Sequence, residues 1–100
     1  MWFITVMEKC EPDEKWYAAL GDKRTWGYFK DYEVAVQALH ENWADMWEDC
    51  YDYAVLEKAE EGICPYCGER QWFKFDRECN GYFEIEEPEC VKHIVNFALG

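Results

Sequence analysis

Arg70-Gln71-Trp72-Phe73-Lys74-Phe75-Asp76, followed by Asn80-Gly81 and then Tyr82-Phe83-Glu84-Ile85-Glu86, is the stretch whose reading decides the fold. Both runs are rich in aromatic side chains, which suit a pleated surface. The pair between them tolerates the positive φ angles of a type I′ turn. The reading is an antiparallel hairpin with Phe73 and Phe75 on one face, which Phe83 and Ile85 can join. Pro88 ends the second strand.

Upstream, residues 51–59 read as a strand stopped by Glu60-Glu61-Gly62. Before it, no Gly or Pro interrupts Tyr32 to Glu48. Ala35, Leu39, Trp43, Met46 and Cys50 fall on one stripe, flanked by Val36 and Trp47, which predicts an α-helix over about residues 32–48. Asp31 suits its N-cap and Glu33 its first turn. Residues 2–8 alternate as a strand, with Trp2, Ile4 and Val6 on one face, until Glu11-Pro12-Asp13-Glu14 breaks it. Residues 16–20 and 25–29 read as a hairpin about Gly21-Asp22. Residues 91–99 fit either a last strand or a short helix. The whole is one domain over residues 1–100, of α+β class: a small antiparallel sheet with one main helix packed on one face.

Composition narrows the function. Twenty-two carboxylates stand against ten bases, a formal net charge of -12. Binding to a nucleic-acid backbone needs clustered Lys and Arg, and the nearest thing to a patch is Lys23, Arg24 and Lys30. Direct binding to nucleic acid or to an acidic membrane surface is therefore not expected, and a basic protein partner is. The apolar opening from Met1 to Met7 has no basic leader, and no stretch has the length of a membrane span. A reducing, cytoplasmic setting follows, in which the six cysteines are thiols or metal ligands.

Four stretches together have a family look: Arg24-Thr25-Trp26-Gly27-Tyr28-Phe29, Tyr53-Ala54-Val55-Leu56-Glu57, Arg70-Gln71-Trp72-Phe73 and Asn96-Phe97-Ala98-Leu99-Gly100. They resemble a family of short, acidic, uncharacterised proteins from gut bacteria and their phages and mobile elements, from about residue 20 to the end. The resemblance implies a setting, an accessory gene on a mobile element, and carries over no activity.

The sharpest local motif is Cys64-Pro65-Tyr66-Cys67-Gly68. Two thiolates at this spacing can chelate one metal. With Cys90 and His93 they form a layout close to a zinc ribbon, and Cys79 is an alternative ligand. One structural zinc there would contribute on the order of 10 kcal/mol to folding. Core thiols explain the same cysteines without metal. Cys-Pro-Tyr-Cys also resembles the glutaredoxin active site, where the motif opens a helix. Here Gly68 to Phe75 has strand character, so thiol redox chemistry at Cys64 and Cys67 is only the least remote enzymatic reading. The chain has no serine and no Gly-rich phosphate loop. No enzyme is expected.

Glu41, Asp45, Glu48 and Asp52 recur at helical spacing, which predicts an acidic face that can imitate a row of phosphates. A sheet with one helix leaves one face uncovered, so Trp16, Trp26, Tyr28, Trp72 and Tyr82 are candidates for partner or ligand contacts. The expected function is a non-catalytic acidic protein that binds a basic or nucleic-acid-binding protein, or associates with itself. In the setting that the resemblance implies, this would inhibit a host defence complex, as anti-CRISPR proteins do. The alternatives are a protein that sequesters a nucleotide or another small molecule, with Arg24 or Arg70 on the phosphate, and a structural zinc-ribbon module.

Overall fold

The computed structural model describes residues 1–12, 18–20, 22–45, 51–59, 69–92, 94, 97 and 98. Strand β1 (Trp2–Met7) is buried on both faces over its last four residues, because Ile4 and Val6 point one way and Thr5 and Met7 the other. It continues past Glu8 into β2 (Cys10–Pro12), and β3 (Ala18–Leu20) leads into β4 (Lys23–Phe29). The pairs Pro12↔Ala18, Cys10↔Leu20 and Met7↔Lys23 share one register, and the Glu8 amide donates to the Asp22 carbonyl between them at 3.0 Å.

The first part of the chain is thus one long hairpin, closing between Pro12 and Ala18. This corrects the expected hairpin about Gly21-Asp22. Asp22 lies in a continuing ladder, and β3 and β4 do not pair with each other. The expected break at Glu11-Pro12 is also overridden, since both residues are in β2. A bulge between Ile4 and Thr5 leaves Trp26 as the extra residue of β4 and turns it toward the helix side, where it packs half-buried on the core.

Strands β5 (Tyr53–Lys58), β6 (Glu69–Asp76) and β7 (Gly81–Ile85) complete an antiparallel five-stranded sheet of order β4-β1-β5-β6-β7. Ladder partners share a face. Ile4, Leu56, Ala54, Phe73 and Tyr82 form the core beneath the helix, while Met7, Val55 and Trp72 belong to a second core on the other face. The register puts Phe83 opposite Lys74 and Ile85 opposite Trp72, away from Phe73 and Phe75. Tyr82 takes the place beside Phe75 instead, ring centroids 5.1 Å apart.

Helix α1 (Tyr32–His40) packs Ala35, Ala38 and Leu39 onto the first core. Asp31 holds the N-cap position in extended backbone, but its side chain makes no capping bond; its carbonyl accepts from the Ala35 amide at 3.1 Å. The helix ends at His40 rather than near Glu48. Asn42 adopts φ 56°, a left-handed conformation that Asn tolerates, and Ala44 and Asp45 follow with the same φ in a 3-10 turn (Trp43–Asp45). Trp43 leaves the stripe and is 38% exposed. Met46, Trp47 and Cys50 lie outside the described residues.

The hairpin β6–β7 closes through residues 77–80 rather than through a two-residue turn. The Asp76 carboxylate accepts from the amides of Glu78 at 2.8 Å and Cys79 at 3.3 Å, and Asn80 takes φ 54°. After β7, a 3-10 turn (Glu89–Val91) leads the chain across the second face, and Val91, Ile94 and Phe97 cover Met7, Val55 and Trp72. The face expected to lie open is covered, and where it is described this segment is neither strand nor α-helix. Among the described residues no helix is long and apolar enough to cross a membrane.

Candidate functional site

The proposed metal ligands Cys64, Cys67 and His93 lie outside the described residues. Cys90 follows β7 and packs half-buried against the second core. Cys79 is exposed in the turn at the opposite end of β7. Five strand residues rise about 16 Å, so one ion cannot take both thiols. The Asp76 carboxylate beside Cys79 holds its thiol above the ordinary value, which disfavours a reactive thiolate there. No group of three metal-binding side chains converges among the described residues.

The acidic row does not form a helix face. Glu41 is the C-cap of α1 and accepts from Gln37 Nε2 at 2.8 Å and Trp43 Nε1 at 3.2 Å, bonds that lower its pKa. Asp45 lies beyond the left-handed kink. Asp52 stands before β5 and pairs with Arg77 at 3.3 Å. Glu48 is outside the described residues. The helical period that joined these four stops at His40.

Two of the aromatic candidates are core. Trp72 is 0% exposed, edge-on to Phe97 with centroids 5.2 Å apart, and its indole nitrogen has no partner among the described residues. Tyr82 is buried, and its hydroxyl donates to the Tyr51 carbonyl at 2.8 Å. Trp26 is half-buried beneath the Arg24 guanidinium, 4.3 Å from its ring centroid. Only Tyr28 stands well out, 61% exposed, with its ring 5.5 Å from Phe3. Trp16 is outside the described residues. Phe83, which the sequence allowed on the face of Phe73 and Phe75, is 46% exposed.

The most polar interior group was not singled out from the sequence. Glu57 is fully buried on the second face, opposite Arg70 in the ladder. Its oxygens accept from the Phe97 amide at 3.1 and 2.9 Å and from the Ala98 amide at 3.1 Å. Burial raises its pKa more than those amides, Arg70 and Lys23 lower it. Arg70 donates to the carbonyls of Ile94 and Val91 and pairs with Glu87. Lys23 Nζ donates to the Phe97 carbonyl at 3.1 Å, and Thr25 Oγ1 to that of Ala98 at 3.4 Å. These groups strap Val91, Ile94, Phe97 and Ala98 to the sheet. A carboxylate inside the apolar run of residues 53–58 was the available signal. Arg70 is therefore spent inside the fold, three strand spacings, or about 14 Å, from Arg24 on β4.

What remains at the surface is the pair of sheet edges. β4 carries Lys23 and Arg24, and Lys30 follows it, with Asp22 and Asp31 just outside. Arg24 and Lys30 make no ion pair among the described residues. The β7 edge carries Glu84 and leads into Glu86, Glu87 and Glu89, with no base in residues 81–89. Glu87 pairs with Arg70, and Glu89 with Lys92 at 2.7 Å. Glu84 and Glu86 are exposed without an ion pair among the described residues.

No family model, curated protein or solved structure matches the chain.

Proposed function

We propose that this is a non-catalytic binding protein whose acidic β7 margin engages a basic protein, including one whose usual ligand is a nucleic acid. The outer margin of β7 carries the reading. It is the last strand of the sheet, and no strand pairs with its outer side among the described residues. Phe83 stands exposed on it, and the exposed carboxylates Glu84 and Glu86 lie beside it, neither in an ion pair among the described residues. A partner strand would gain affinity from main-chain hydrogen bonds and selectivity from charge. The net charge of -12 would steer a basic partner toward the protein and repel acidic ones.

The test uses a labelled peptide of alternating Lys and Val as the model basic strand, read by fluorescence anisotropy. Binding should weaken at least about tenfold between roughly 0.1 M and 1 M salt. It should vanish in a Glu84→Lys, Glu86→Lys double variant. Binding that ignores salt, or that survives both substitutions, would remove the reading.

A further inference from the structure

We infer that the segment taken by the β7 edge is an extended strand in which basic and apolar residues alternate, its basic side chains on the helix side of the sheet against Glu84 and its apolar ones on the other side against Phe83 and Ile85. Such a strand is one form of the basic partner proposed above and depends on that reading. β7 is itself two-sided. Glu84 is the ladder partner of Phe73, which belongs to the core beneath the helix. Ile85 is the partner of Trp72 in the second core, and Phe83 shares that side as the partner of Lys74. A strand added to the outer side of β7 alternates with the same period, so its successive residues meet a carboxylate and an apolar side chain in turn.

Both sets of side chains find room. An open recess of about 470 Å³ lies at the end of β7, where Gln71, Glu84 and Glu86 are among the residues that line it. It suits a lysine or arginine. Lys92 pairs with Glu89 at 2.7 Å, and its charge also acts on Glu87 and Glu86. Glu84 is accordingly the principal contact for an incoming base. A second recess, of about 400 Å³, lies beside the exposed Phe83 ring, with Phe75, Lys74, Asp52 and Arg77 also in its walls. Asp52 and Arg77 pair with each other, and Lys74 Nζ sits 5.6 Å from the ring centroid of Tyr53 on β5, the strand farther from the edge. Phe83 is thus the group that an apolar side chain would cover. The opposite edge selects against the same strand, because Lys23 and Arg24 on β4 would repel its bases.

Two labelled peptides of one composition separate pattern from charge. The first alternates Lys and Val. The second repeats Lys-Lys-Val-Val, which puts both residue types on each side of a strand. At about 0.1 M salt, anisotropy on the full chain should show the alternating peptide binding at least about tenfold more tightly. Phe83→Ser, a change at an exposed position, should weaken that peptide about threefold. The amides of successive strand residues point to opposite edges. Methylating the lysine amide nitrogens in one alternating peptide and the valine amide nitrogens in another should therefore abolish binding in one and spare it in the other. Equal binding of the alternating and paired peptides overturns the strand and leaves a salt-dependent acidic surface standing. An equal effect of the two methylations does the same, as does a Phe83→Ser variant that binds unchanged. Failure of every peptide to bind removes the binding reading and the strand together.

Discussion

Glu57 holds two tail amides from a position without solvent contact, and its balance of forces has a measurable sign. Burial places its folded pKa above the ordinary value of 4.5, against the pull of the amides of Phe97 and Ala98, of Arg70 on β6 and of Lys23 on β4. A raised folded pKa means that the folded state binds the proton more tightly than the unfolded chain. The stability it contributes is fully present below the unfolded pKa and is lost as pH rises through the folded one. Glu57→Gln keeps an acceptor and cannot titrate. Comparing urea midpoints at about pH 4 and about pH 7, the unaltered chain should lose more stability on the upward step than the variant does. A larger loss in the variant would mean that the amide bonds outweigh desolvation. The residue was half legible. A carboxylate within Tyr53-Ala54-Val55-Leu56-Glu57 is visible in the sequence, but its pairing with Arg70 depends on a register that local pattern does not set.

At the scale of elements, strand existence was readable because alternation is a local property: β1, β5, β6 and β7 lie where the aromatic and aliphatic periods place them. Partnership was not. β3 is followed at once by β4, yet each pairs with an earlier strand, because the ladder that began with β1 continues outward through β2. The end of α1 escaped for a related reason. The apolar stripe runs on through Trp43 and Met46, while the backbone turns left-handed at Asn42 and again at Ala44. Ala44 at φ 56° bears a Cβ that this conformation disfavours by about 1–2 kcal/mol. Ala44→Gly should therefore raise the thermal midpoint, by an amount corresponding to about 0.5–1 kcal/mol. In a continuing helix the same change would cost about 1 kcal/mol, so a lowered midpoint would restore the longer helix.

For the whole molecule, the class was legible from the order of periods: strands, one long amphipathic run, then strands. The covering of the second face was not, because residues 91–99 fit a strand and a helix equally in sequence, whereas Ile94 and Phe97 are held by side chains distant in sequence. That covering moves the available surface from a face to the edges.

The strap over Glu57 also bears on how the molecule would look to deuterium. Amide exchange is slow where a hydrogen bond must open in a buried setting, whatever the shape of the backbone that carries it. The Phe97 and Ala98 amides meet that condition through a side chain rather than a ladder. In an isotope map they would keep company with the central strands. The hidden carboxylate lends the persistence of a strand to a stretch of chain that has none of a strand's geometry.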